Sequence, residues 1–371
     1  MKHPPFDVAV VGLGPVGMTL AHLLCAEGLT VVGLDAREDP YPFPRAIGLD
    51  HESMRVFQHI GIADDLLPFT EIYRPSEYRA ADGSLLRRIV AAPEPFPLAW
   101  PPNLTFVQPE LERLLLESAR QLPTLTLHFR TKVKAAVTSS ADVHLEVDPL
   151  AAEPLPPVHS RYMVACDGAA STIRQNLDVT LEDLSFDEPW LVVDVLLKGD
   201  VVLPEVNIQV CDPKRPMTYV RGPGMLRRWE IMMLPGESPS EVLAQDRIWS
   251  FLHPWISPAQ AMIWRAATYN FHALVAERWR QGTIFLAGDA CHQMPPFLAQ
   301  GLNQGVRDAA NLAWKLGAVL RGDASDALLD TYERERKANV RSVIGITKDL
   351  GRIICERDDR FPRRTLQLNQ S

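Results

Sequence analysis

Cysteine is scarce in this sequence: five among 371 residues, at Cys25, Cys166, Cys211, Cys291 and Cys355, far apart and without a C-x-x-C pair. That excludes a disulfide framework and points to free thiols in a reducing compartment, so a cytoplasmic location is expected. There is no H-E-x-x-H and no cluster of Cys and His, so no metal site is expected. No uncharged apolar run is long enough to span a membrane. Val8 to Leu24 has the apolar content of a signal peptide, but Asp7 precedes it and Gly12, Gly14, Pro15 and Gly17 interrupt it, so no targeting segment is expected. Cations are also in deficit, 38 Lys and Arg against 46 Asp and Glu, a net charge of −8. A nucleic-acid binder needs a basic face, so that class is excluded. The Arg-rich end, Arg352 to Arg364, reads as a solvated tail. Internal repeats and low-complexity tracts are absent.

What is present is an ordinary globular composition, 46% apolar and 23% charged. The length exceeds one ordinary core, so one large or two intertwined domains are expected.

The most informative stretch runs from Thr283 to Leu316. Thr283 to Ala287 reads as an apolar strand, broken by Gly288-Asp289. A Pro295-Pro296 turn follows, and a helix is expected to begin near Gln300 or Gly301. Leu302, Val306, Ala309, Ala313 and Leu316 recur at helical spacing. A strand ending in an acid and leading to a helix start can hold a polar ligand: the carboxylate accepts from hydroxyls, and the free N–H groups of the first turn attract negative charge.

Near the start, a strand Asp7 to Val11, the turn Gly12-x-Gly14-x-x-Gly17, a helix through Glu27 and a strand Thr30 to Leu34 ending at Asp35 compose a dinucleotide fingerprint. Gly12 makes the tight turn, Gly14 admits a pyrophosphate, and Gly17 lets helix and strand pack closely. Asp35 stands where a carboxylate binds a ribose hydroxyl. The pattern alone does not distinguish NAD from FAD. There is no second G-x-G-x-x-G.

Further along, Arg45-Ala-Ile-Gly-Leu-Asp-His-Glu52 leads into a helix from Ser53 to Ile60, with Gly61 as its cap. Glu77 to Ile89 reads as a hairpin around Asp82-Gly83. Gln108 opens a helix through Gln121, and strands are expected at Leu125–Phe129, Val133–Val137 and Val143–Val147. Tyr162 to Cys166 is a strand ending at Asp167-Gly168. Between Trp190 and Phe271 the texture becomes strand-rich, with Leu191–Leu197, Val206–Val210, Arg227–Leu234 and Ile263–Phe271, and one helix from Glu241 to Leu252. A last helix is expected from Asp326 to about Lys348.

The order of these motifs resembles the FAD-dependent aromatic hydroxylases, the group A flavoprotein monooxygenases. The likeness covers roughly Val8 to Val343. Gly288-Asp289 with His292, Pro295-Pro296, Gln300-Gly301, Asn303, Gly305, Asp308 and Asn311 to Leu316 resembles their GD motif, and Asp167-Gly168 their DG motif. Arg45 to Glu52, Cys211 to Pro216 and Arg227 to Gly236 are most similar to the branch acting on 3-(3-hydroxyphenyl)propionate. The resemblance implies an α/β fold: a Rossmann-like, three-layer FAD-binding domain of the GR2 type, with an inserted antiparallel-sheet substrate domain. The first is expected over 1–72, 97–181 and 270–349, the second over 73–96 and 182–269, and a tail over 350–371. It implies bound FAD, touched by Gly12, Gly14, Pro15, Val16, Gly17, Asp35, Ala36, Arg37, Arg45, Gln108, Asp167, Gly288, Asp289, Pro296, Gln300, Gly301, Leu302 and Asn303. NADH or NADPH would bind transiently.

The implied reaction is hydroxylation of a small phenolic substrate by O2 through a flavin C4a-hydroperoxide, for a hydroxyphenylpropionate-type acid or another phenolic or polyketide ring. Asp50, His51 and Tyr269 are candidates to activate the phenol, with Pro296 beside the reaction centre. Asp50 reads equally as a helix N-cap, and His51 as a surface residue. Arg215, Arg221, Arg227 and Arg228 are candidate partners for a substrate carboxylate. A homodimer is a further expectation, and a non-catalytic flavoprotein is the competing class. Two positions depart from the family pattern: Ala299 stands where glycine is usual, and Cys291 where alanine is usual. Close relatives continue beyond the equivalent of Ser371 into a thioredoxin-like domain.

Overall fold

The computed structural model describes residues 6–139, 142–149 and 157–357. Strands Val31–Leu34, Phe6–Val11 and Ile284–Leu286, and the Tyr162 to Ala165 half of Val158–Ala165, are nearly all apolar and buried, as strands covered on both faces must be. They lie side by side and parallel, with Val8 opposite both Val31 and Tyr162, and Met163 opposite Ile284. Leu125–His128 extends the sheet in parallel beyond Val31–Leu34. Val143–Pro149 and Thr131–Thr138 pair antiparallel at its flank. Helix Pro15–Ala26 packs against both Gln108–Ala119 and Gly301–Arg321.

A second sheet has the spatial order His292–Gln293, Ala261–Ala276, Leu181–Leu197, Leu226–Met232, Met217–Arg221, Asn207–Cys211, Ser76–Ala80 and Leu85–Ile89. It is antiparallel except where Asn207–Cys211 runs parallel to Ser76–Ala80. Its two faces differ because strand side chains alternate. Leu191, Val193, Trp229 and Ile231 form a separate core with Ile248 and Leu252 of helix Gln245–Leu252. Trp190, Val192 and Met232, on the opposite face, join the core of the parallel-sheet body. Asp194, Arg228 and Glu230 occupy that same inward face.

Most expected elements are present within a few residues, and several differ. Strand Met217–Arg221 was not expected: five residues between Pro216 and Gly222 carry too little pattern. Leu181–Leu197 and Ala261–Ala276 are longer than expected and absorb their length through register shifts at Asp183/Asp187 and Asp194/Val195. The single expected helix Glu241–Leu252 is two, Pro239–Val242 and Gln245–Leu252, the first held by a Ser238–Glu241 capping box. The closing helix runs from Asp330 to Ile354, so Arg352 is helical, and the tail beyond 357 lies outside the described residues. No helix among the described residues is long and apolar enough to cross a membrane.

Candidate active site

A cavity of 840 Å3 opens where the two sheets meet. At one part the chain leaves strand Phe6–Val11 through Gly12, whose φ of +92° suits glycine, and a side chain there would strike the Cys166 carbonyl. A Cβ at Gly14 would meet only the Arg37 guanidinium, at 3.9 Å, and Gly14 lines the cavity together with Pro15 and Val16. Gly17 does not reach the cavity, since it packs onto the Gly12 carbonyl. Asp35 accepts from the Leu13 N–H at 2.7 Å and from the Arg37 N–H at 2.8 Å. The acid therefore fixes the glycine turn while still lining the cavity, with Ala36 and Arg37 beside it.

Three backbone or side-chain groups face the cavity without a full set of partners. The Asp289 carboxylate, at the turn after strand Ile284–Leu286, is exposed, lines the cavity and makes no hydrogen bond among the described residues. Protein crowded around it raises its pKa, with only partial relief from His292 and Arg45. Asp167 Oδ1 is buried without a partner while Oδ2 accepts from the Ile173 N–H at 3.2 Å, and burial raises this carboxyl too. Helix Gly301–Arg321 begins without a side-chain cap, and Gly301 and Leu302 line the cavity. Unmet donors and acceptors facing one space, beside a glycine turn, fit a dinucleotide with ribose and ribityl hydroxyls.

Other residues build the frame. Gln108 Oε1 accepts from the N–H groups of Arg45 and Ala46 at 2.9 and 2.6 Å, and its amide donates to Glu112 at 2.6 Å. Gly288 donates to Asp308 Oδ2 at 3.1 Å, and His292 Nε2 meets the same oxygen at 2.7 Å. Arg336 Nε donates to Asp308 Oδ1 at 2.8 Å. Cys291, His292 and Asp308 are close enough to suggest a metal site, yet Arg336 fills the cationic position there. Asn303 is buried behind the helix start, bonded to Ala299, Gly48, Asp50 and Ser53, and neither it, Gln300 nor Gly288 lines the cavity.

Of the candidates for phenol activation, the structure brings only Tyr269 to the cavity, with Pro296 nearby in its lining. Asp50 is an N-cap for Ser53 at 2.9 Å and an ion-pair partner of Arg307 at 2.5 Å, so both its oxygens are engaged elsewhere. His51 opens the same helix and is likewise absent from the lining. The four candidate arginines are also engaged. Arg215 pairs with Glu237, Arg221 with Glu205, Arg227 with the Gly224 and Leu226 carbonyls, and Arg228 with Asp194.

Glu230 was not anticipated. It lines the cavity at 8% exposure, with no hydrogen bond among the described residues and Arg228 Nη1 3.9 Å away. Its sequence signal was the alternation Arg228-Trp229-Glu230-Ile231, which puts charge on one face of a buried strand. Phe271, also in the lining, stacks on Trp190 at 5.7 Å and meets Phe297 edge-on at 6.0 Å, giving the cavity an apolar wall.

The chain is 39% identical over 354 residues to a protein of Rhodococcus jostii (strain RHA1) named a probable NADH-specific resorcinol 4-hydroxylase, with 95% of this chain and 66% of that protein covered. It is 37% identical to a 3-(3-hydroxy-phenyl)propionate/3-hydroxycinnamic acid hydroxylase of Paraburkholderia xenovorans (strain LB400), covering 94% of this chain and 56% of the relative. The chain thus spans between about half and two thirds of these relatives. The crystal structure of p-nitrophenol 4-monooxygenase PnpA from Pseudomonas putida DLL-E4 superposes with a TM-score of 0.88 at 25% identity, over 98% of this chain and 93% of that one. The family described as FAD binding domain matches residues 5–347, and the chain belongs to it.

Proposed function

We propose that the protein is an FAD-dependent monooxygenase that places one oxygen atom of O2 on a phenolic ring, consuming NADH or NADPH. The balance is ArH + O2 + NAD(P)H + H+ giving ArOH + NAD(P)+ + H2O. One observation carries this reading: a single cavity is lined both by the glycine turn with Asp35 and Asp289 and by Glu230, Tyr269 and Phe271 of the inserted sheet. A nucleotide-only site has no need of the second set.

When bound, the flavin supplies hydride acceptance and the activation of O2. The chain's own groups hold and shield it. Asp35 takes ribose hydroxyls and Asp289 ribityl hydroxyls, while Arg45 lies close enough to influence Asp289. The uncapped start of helix Gly301–Arg321 directs N–H groups at negative charge developing on the cofactor. Phe271, Trp190 and Phe297 exclude water from the apolar wall. Tyr269, with Arg265 over its ring at 5.2 Å, orients the phenolic hydroxyl. With no second glycine fingerprint, the nicotinamide nucleotide visits rather than resides.

The hydroxyphenylpropionate-type acid expected from sequence and the dihydroxybenzene in the Rhodococcus relative's name share a phenolic hydroxyl, and that is the group this reading requires. The five free cysteines support a cytoplasmic location. Purified protein should be yellow, release FAD on denaturation, and oxidise NADH or NADPH faster with a phenol, yielding hydroxylated product. Protein that cannot be loaded with FAD, or that no phenol stimulates, overturns the proposal.

A further inference from the structure

We propose that Glu230 is the carboxylate that accepts the substrate's phenolic proton, and that it makes the site select an uncharged hydroxylated ring over one with an acid side chain. This rests on the hydroxylase reading above.

The argument starts from donors. Glu230 sits on the inward face of strand Leu226–Met232, opposite Val192 and Thr218, neither of which can change charge. Its carboxyl opens to the cavity and receives no hydrogen bond among the described residues. The adjacent cation is committed elsewhere and stands 3.9 Å off. Arg228 gives Nε and Nη2 to Asp194 at 2.7 and 3.1 Å, Nη1 to the Arg45 carbonyl at 2.8 Å, and Nη2 to the Pro44 carbonyl at 3.3 Å. A buried carboxyl without a donor is costly unless a ligand supplies one. A phenolic O–H is such a donor.

The charged and titratable groups facing Glu230 are Arg228 on its own strand, Asp194 on the neighbouring strand and Tyr73 before the hairpin. Burial pushes the Glu230 carboxyl up to about 7; Arg228 opposes the rise and Asp194 adds to it. A base near 7 shares a proton with a phenol, whose pKa is about 10, far better than an ordinary glutamate at about 4.3. In turnover the phenolic O–H bond gives its proton to Glu230 while the ring carbon forms a C–O bond to one atom of the activated O2 and the O–O bond breaks. That carbon then gives its own proton to the departing oxygen, which leaves as water, as the ring regains aromaticity, and Glu230 returns its proton to the phenolic oxygen. Glu230 is unchanged over the cycle.

Selection follows from the same inventory. Among cavity-lining cations, Arg37 is on Asp35, Arg228 is on Asp194, Arg45 acts on Glu112 and Asp289, and Lys132 belongs to strand Thr131–Thr138 of the other sheet. An acid side chain beside Glu230 therefore meets like charge, and the guanidinium next to it, Arg228, is already paired with Asp194.

The test uses the FAD-loaded protein and two probes, resorcinol and 3-(3-hydroxyphenyl)propionate, with affinity read from flavin difference spectra. Wild-type protein should bind resorcinol more tightly as pH rises from about 6 to about 8, while binding the acid about tenfold or more weakly near pH 8. Glu230→Gln should keep its FAD affinity, bind resorcinol about tenfold more weakly and lose the pH dependence. Its resorcinol-stimulated rate should lose the limb that rises near pH 7. A flat pH profile in wild-type protein overturns the proposal without any variant, as does acid binding equal to resorcinol binding. Wild-type affinity and pH profile in Glu230→Gln overturn it too. If resorcinol binds with the expected pH dependence but no phenol stimulates NAD(P)H oxidation, the hydroxylase reading fails while the Glu230 assignment as the phenol-binding group stands.

Discussion

A carboxyl group that protein crowds and gives no donor pulls toward its neutral form. Asp289, exposed to the cavity, and Glu230, buried at its edge, both lack a donor, and each yields a prediction. Asp289→Ala should fold normally and lose about 2–4 kcal/mol of FAD affinity, tens- to hundreds-fold, in a fluorescence titration of apoprotein. An unchanged dissociation constant would remove Asp289 from the cofactor site. For Glu230 the sign runs against the usual carboxylate. Its folded pKa of about 7 lies above the ordinary 4.5, so ionisation costs folding free energy as pH rises between those values. Glu230→Gln should therefore raise the melting temperature of the apoprotein near pH 8 and change it little near pH 5. The ceiling is about 3 kcal/mol, at about 1.4 kcal/mol per unit. Melting curves that differ equally at both pH values would contradict this. Asp289 was legible in sequence because its setting is local: a strand, Gly-Asp, Pro-Pro and a helix. Glu230 was not, because its burial is created by strands far apart in the chain.

Around the turn at Gly288, the supporting elements matter more than any one contact. Burial alone would raise the Asp308 carboxyl, but His292 and Arg336 outweigh it and hold it below the ordinary range. Its contribution to stability is then complete above the unfolded aspartate value of about 3.9 and is lost as pH falls through the lower folded value. Asp308→Asn should cost about 3–5 kcal/mol by urea denaturation near neutral pH, and the gap to wild type should close under acid. A pH-independent gap would mean that packing, not charge, is what Asp308 provides. A second device joins strand Gly48–Asp50 to the entrance of helix Gly301–Arg321. Ala299 has a φ of +53°, and its Cβ would stand 2.6 Å from a Cβ built on Gly48. Gly48→Ala should destabilise by about 1–3 kcal/mol through overpacking. Ala299→Gly should be neutral or stabilising by up to about 1 kcal/mol, since it relieves the left-handed strain, and should rescue Gly48→Ala. Additive effects in the double variant would show that the two positions do not meet. The helix itself was readable from its periodicity. The parallel pairing of Asn207–Cys211 with Ser76–Ala80 was not, since nothing in either strand specifies a partner so distant.

In the molecule as a whole, the interleaved order of the motifs anticipated two interwoven sheets, while the seam between them was invisible in sequence because it is made of backbone. The strip from Pro44 to Ala46 is gripped from both sides. On one side the Arg45 and Ala46 N–H groups donate to Gln108. On the other, the Pro44 and Arg45 carbonyls accept from Arg228 and Arg265 of the inserted sheet. One short piece of main chain thus reports the state of each half to the other, and thermodynamic reciprocity makes the message symmetrical. Whatever factor a bound phenol adds to FAD affinity, FAD must add to phenol affinity. Gln108→Ala, by releasing one grip, should shrink both factors equally in paired titrations, whereas an unaltered factor would mean the halves communicate by another route. A protein so wired would hold a phenol loosely until FAD is seated, an order of assembly written into three residues of backbone.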